Sequence, residues 1–278
     1  MQAVYEAEGR TFNIADIPDF ENAYLAENRL SSMNAAQVHE WVTLYMKPLL
    51  EEVANLTQGS RAAYDELTDY MMAKHGLERN EVTARRDAQR QTEEEYAEKR
   101  KAIEKKLEAD PQDQGALAEQ EMLEQEMDAR EEELYERNRK KDYAGLTALT
   151  GKAKVAEAEQ EAHDMVQDYE SSHNVTALWG AVNAATRSSL EKVYASGFLS
   201  REKYQEIAGM YDYYIPLQGF AETVAEDEYA YLGSDGSAGY GTPIRTARGR
   251  KSKADDPIAT ISMNGEAYNV VPHLFIWG

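Results

Sequence analysis

From Leu77 to Asp142 the chain contains no glycine or proline outside the short stretch Pro111–Gly115. Glu, Lys, Arg, Gln and Ala dominate both sides of that stretch, and all are good helix formers. The tract therefore predicts two long helices joined by a tight turn. Arms of roughly 30 residues extend about 45 Å, which exceeds the width of a small domain, so the hairpin must project. Val82, Tyr96, Ile103 and Leu107 mark a thin apolar stripe on the first arm, and Leu123, Met127 and Leu134 mark one on the second. Arg86, Gln89 and Arg100 occupy intervening heptad positions, which makes the seam weak by coiled-coil standards. Ion pairs and docking at the base must then hold the arm, whose natural use is to reach a partner.

The flanks must supply the core, and 42% hydrophobic residues in 278 suffice for one. Val38, Trp41, Val42, Tyr45, Leu49, Val53 and Leu56 follow helical spacing, with Asn34 and Gln37 resembling a capping box and Pro48 predicting a kink. A second helix follows Ser60, with His75-Gly76 as its expected carboxyl-terminal cap. Met165 to Tyr194 predicts a central helix containing Trp179, and Ser200 opens a shorter one that ends before Pro216. Beyond Gly219 the composition turns to Gly, Ser, Tyr, Asp and Pro. There, Asn264-Gly265 between two β-prone runs signals a hairpin turn. The expected fold is mainly α: a helical bundle with a long projecting charged helical hairpin and an irregular C-terminal tail bearing a β-hairpin. It divides into a first body part (1–77), the hairpin (78–142), a second body part (143–218) and the tail (219–278), with the first and second body parts packed together.

Lys plus Arg numbers 30 against 51 for Asp plus Glu, a formal charge of −21. That balance disfavours nucleic acid and anionic membranes and points to protein partners. The absence of cysteine excludes disulfides, thiolate zinc sites and a cysteine nucleophile, and a cytoplasmic setting fits. Met1–Arg10 has no apolar run, so no secretion signal is expected, and no stretch approaches the ~18 apolar residues of a membrane span.

Candidate sites have plain structural readings beside them. Glu170 and His173 form a Glu-x-x-His pair, half of a di-iron carboxylate site, but the second pair is missing and a polar helix face is expected. Ser200 and Lys203 match Ser-x-x-Lys without companion motifs, so Ser200 reads as a helix cap. Gly233, Gly236, Gly239 and Gly241 lack the Lys-Ser/Thr of a phosphate loop. Tyr211, Tyr213 and Tyr214, followed by Ile215 and Leu217, predict a packed corner. No catalytic, cofactor or metal residue is assigned. Arg245, Arg248, Arg250, Lys251 and Lys253 form a basic patch that could grip phosphate, but the acidic field favours a contact with the protein's own acidic surface or a partner protein. Glu124, Glu126, Glu131, Glu132 and Glu133 are the acidic interaction candidates on the hairpin. Interleaved Lys and Arg make them resemble a solvated, ion-paired helix face, with mimicry of a phosphate array on a host nuclease as the alternative. An enzyme with a site formed by the tail over the body is a further alternative. Self-association through the hairpin or tail is also open.

Five strings occur in order: Lys74–Asn80, Asp142–Leu149, Ser196–Glu202, Tyr213–Leu217 and Ala247–Arg250, the last followed by Asp255–Ala259. Together, from about Ala23 to Ile261, they resemble an associated segment of the large polyvalent proteins carried by bacterial phages and conjugative elements. The resemblance implies a non-catalytic segment of a chain that enters a recipient cell with mobile DNA and acts against host defence proteins. The residues after Ile261 depart from that pattern, as truncation or a frame change would produce.

Overall fold

Residues 34–57 fold as their apolar spacing predicts. The computed structural model describes residues 34–195, 197, 199–217 and 253–270. In it residues 34–41 are helical, Val42–Met46 form a π-helical turn and α1 spans Lys47–Thr57. The π turn directly precedes Pro48, whose ring crowds the carbonyl four residues back and offers it no N–H. Widening the turn relieves that conflict, so the expected kink takes the form of a π turn. Asn34 is already helical and is not the cap that its spacing with Gln37 suggested.

Ser60 opens α2 by accepting from the Ala63 N–H at 3.4 Å. α2 spans Arg61–Ala109, 49 residues, and does not stop at His75-Gly76. The second body helix and the first hairpin arm are therefore one element. Gly76 is needed for closeness rather than for a left-handed cap. A Cβ there would lie 2.6 Å from Leu146 Cδ2 and 3.3 Å from Ala144 Cβ, and Leu146 is fully buried. We expect Gly76→Ala to destabilise the protein by about 1–2 kcal/mol in urea titration, overpacking outweighing the helix-propensity gain. A stabilised variant would contradict this packing.

At the tip, Asp113 Oδ1 accepts from Gly115 N–H at 2.8 Å and Ala116 N–H at 3.1 Å, starting α3 at Gln114–Asn138. The Lys106–Glu119, Lys99–Glu126 and Arg130–Glu95 pairs cross between the arms at 2.5, 3.3 and 3.0 Å. Positions rise on one arm as they fall equally on the other, the register of an antiparallel pair. The seam differs from the expected stripe: Ile103, Leu123 and Leu134 are buried, but near the base Ala84, Ala88 and Thr92 line it rather than Val82. Small side chains there let α3, Tyr135 and Tyr143 close onto α2.

Asn80 ties the returning chain to α2. Its Oδ1 accepts from the Tyr143 and Ala144 N–H groups at 2.8 and 3.0 Å. Asp142 then accepts from the Gly145, Leu146 and Thr147 N–H groups and from the Thr147 hydroxyl. Burial alone would raise the Asp142 carboxyl pKa, but these bonds outweigh it and hold it below its ordinary value. They seat α4 (Leu146–Thr150) beside Gly76. The single central helix expected from Met165 to Tyr194 is instead two, α5 (Val155–Ser172) and α6 (Thr176–Ala195), because the backbone turns extended at His173 and Asn174 Oδ1 accepts from the Thr176 N–H to start α6. α7 (Arg201–Ala208) follows, with the Ser200 hydroxyl capping it as expected.

The Asn264-Gly265 turn is overturned: both residues lie within α8, Pro257–Val270. Asp256 accepts from the Ile258 and Ala259 N–H groups and Pro257 sits at the first helical position, a strong helix start. A side chain at Gly265 would overlap the Trp41 ring, so this glycine serves helix packing. The described residues are mainly helical and contain no strand. One core joins Trp41, Leu49, Leu67, Tyr70, Met71, Leu146, Val166, Leu178, Trp179, Val182 and Ile215 with Ile258 and Ile261 of α8.

Candidate interaction surface

The hairpin arms expose mostly charged side chains, and many already have partners. Glu126 pairs with Lys99, Glu133 with Arg130 at 2.8 Å, and Glu124 accepts from Gln120 at 3.0 Å. Glu131 is half-buried and Glu132 exposed, and neither has an ion pair among the described residues. Along each helix, pairs such as Arg90–Glu94 and Arg100–Glu104 add to the cross-arm set. Exposed pairs contribute little individually, so they fix register and surface character more than stability.

Of the basic patch, Arg245, Arg248, Arg250 and Lys251 lie outside the described residues, as do the four glycines from Gly233 to Gly241. Lys253 forms an ion pair with Asp69 of α2 at 2.6 Å, a contact with the protein's own acidic surface.

His173 lies past the end of α5, so Glu170 and His173 do not sit together on one helix face as their spacing suggested. Glu170 Oε1 accepts from Tyr70 OH at 2.8 Å and pairs with Lys74 Nζ at 2.9 Å. Burial pushes the Glu170 carboxyl pKa up, but the bonds from Lys74 and Tyr70 bring it below its ordinary value. His173 follows the end of α5 with its ring stacked on Tyr169 at 4.2 Å. No group of three or more metal-ligating side chains occurs among the described residues. Beneath Glu170, Trp179 Nε1 donates to Tyr70 OH at 2.8 Å, and Tyr70 stacks on Tyr169 at 4.4 Å. This network opens on an 810 Å³ surface groove whose walls include Lys74, Glu170, His173, Asn183 and Tyr213. Lys74 and Glu170 neutralise each other there, and Lys74 also lies 4.5 Å from the Tyr213 ring centre. These contacts hold α2, α5 and α6 together.

The three tyrosines form the packed corner their neighbours suggested. Tyr211 and Tyr214 meet the His75 ring edge-on at 5.1 and 5.5 Å, and Tyr213 meets Trp179 at 5.1 Å. The Glu78 carboxylate accepts from the Asp212 and Tyr213 N–H groups at 2.6 and 3.0 Å. His75 is fully buried, and the Tyr213 backbone approaches its ring without reaching hydrogen-bond geometry. Burial, assisted by the nearby Arg79 charge, lowers the His75 pKa to about 3.

A second groove, of about 710 Å³, lies between the middle of α2 and the corner made by α6 and α7. Arg79, Arg86, Arg90, Arg187 and Lys203 line it, against Asp87, Glu93 and Glu206. This cationic cluster escaped the sequence because Arg187 and Lys203 reach it from α6 and α7, about a hundred residues further along the chain. With one continuous helix, Arg79, Arg86 and Arg90 share a face by spacing alone. Comparison with protein-family models, curated proteins and solved structures gave no match to this chain.

Proposed function

We propose that this chain is a non-catalytic helical interaction module that works through protein contacts on its projecting hairpin. Its setting, which the ordered strings imply by resemblance, is a polyvalent protein of a phage or conjugative element. There it acts in the host cytoplasm on a defence protein, or in establishing incoming DNA. The observation that carries the contact reading is α2 itself. Leu67, Tyr70 and Met71 are buried in the body at one end, and the same helix continues to Ala109, where among the described residues α3 runs alongside its outer part. The carboxylates on the arms alternate with cations in cross-arm pairs, which favours a mixed-charge protein surface over an unbroken phosphate-like array. No helix among the described residues is long and apolar enough to cross a membrane.

The test is affinity capture from bacterial lysate with three chains: the parent, a Glu131→Lys, Glu132→Lys, Glu133→Lys variant, and a chain lacking 92–133 with a short turn joining Gln91 to Leu134. The reversal should leave helicity nearly unchanged, because Lys and Glu have similar propensity. It should weaken capture several-fold, and parent capture should fall as salt rises. Nuclease treatment of the lysate should change nothing for a protein partner that is not itself holding DNA, whereas increased capture would support the nuclease-groove mimic. Undiminished capture by both altered chains would overturn the hairpin assignment.

A further inference from the structure

The groove between α2, α6 and α7 concentrates cations in a chain whose formal charge is −21. Arg79, Arg86 and Arg90 enter it from one face of α2, Arg187 from α6 and Lys203 from α7. The available carboxylates do not match them. Glu206 is shared by Arg86 and Lys203, and Arg90 is paired with Glu94 and Asp87. Asp87 also accepts from Tyr143 OH, and Glu93 lines the groove without an ion pair among the described residues. Arg79 Nε is sealed from solvent with no hydrogen-bond partner, a costly state for a guanidinium donor. Arg187 is exposed and has no ion pair among the described residues. Leu190, Val193 and Ile207 supply apolar lining beside Tyr211 and Tyr214, whose rings stack at 5.9 Å.

We propose that this groove binds a small phosphate ester carrying a planar group, the chemistry of a mononucleotide. Guanidinium forks match phosphate oxygens in pairs, and Arg79 and Arg187 are the donors with capacity to spare. The tyrosines and aliphatic wall accept the planar part, and the groove volume lies within the range of small-ligand sites. Inorganic anions would leave that wall unused. A nucleic-acid polymer would extend beyond the groove into the field of the acidic arms. The inference rests on the groove alone and is independent of the hairpin's role.

Fluorescence polarisation of a labelled ADP, titrated with the full chain at low salt, tests it. Saturable binding is expected, displaced by ADP, less well by pyrophosphate and least by adenosine. Arg187→Gln, at an exposed position, and Arg79→Gln should each weaken binding about tenfold. Glu206→Gln releases Arg86 and Lys203 from their shared carboxylate and should tighten it several-fold, a gain that a purely structural ion pair would not give. Absence of displaceable binding at millimolar ADP, or an affinity unmoved by all three substitutions, overturns the site. Pyrophosphate competing as well as ADP overturns the planar component. Duplex DNA binding more tightly than ADP overturns the mononucleotide assignment.

Discussion

Replacing Trp179 by alanine should cost about 3–5 kcal/mol, the range for emptying a buried aromatic site. The ring is 5% exposed and lies edge-on to both Tyr70 and Tyr213, so α2 and the 211–217 corner each lose a packing partner. Its Nε1 also supplies the hydrogen bond to Tyr70 OH, which in turn donates to Glu170. Trp179→Phe separates the two contributions. It keeps most of the packing and should cost about 1 kcal/mol for the lost N–H. Urea titration of both variants measures the difference. A loss below about 1 kcal/mol for the alanine variant would mean that α6 does not pack on α2 as described.

Acid should expose His75. In the unfolded chain this imidazole takes a proton near its ordinary value of 6.5, while in the fold it stays neutral down to about 3. Between those values the unfolded state binds more protons, so stability is complete above pH 6.5 and falls as pH drops through the window. From pH 7 to pH 5 the loss should be about 2 kcal/mol, since each unit within the window costs up to about 1.4 kcal/mol. Asp142 and Glu170, both held below their ordinary carboxyl values, add acid sensitivity at lower pH that His75→Phe would share. The drop in unfolding free energy between pH 7 and pH 5 should therefore be about 2 kcal/mol larger for the parent than for His75→Phe. Equal drops would show that the folded state accommodates the charged ring.

The hairpin and several helix starts were legible because periodicity and breaker residues report on one segment at a time, although the continuation of α2 past Gly76 and the break between α5 and α6 were not. Pro111 to Gly115 marked the tip, Ser200 the start of α7, and Trp179 the buried face of α6. What escaped depends on residues far apart in sequence. Gly76 has the local chemistry of a helix stop, and only the approach of Leu146 shows why a glycine belongs inside α2. Asn264-Gly265 has the local chemistry of a turn, and the Trp41 ring packed against Gly265 accounts for the helix instead. Val82 outranked Ala84 and Ala88 by hydrophobicity, yet the small residues form the seam because Tyr135 and Tyr143 fill the space beside them. The arginine groove was invisible for the same reason, since Arg187 and Lys203 reach it from other helices.

The unbroken course of α2 also makes the molecule a lever. From Asn80, fastened at the base, to Ala109 at the tip is about 44 Å of helix, so a rotation of about 5° at the root sweeps the tip through about 4 Å. With neither a hinge loop nor a proline in between, such angular displacement would travel along the arm rather than dissipate within it. Whatever seats itself against the outer end would then be felt at Gly76 and Leu146, and a shift in α4 would redirect the outer end in turn.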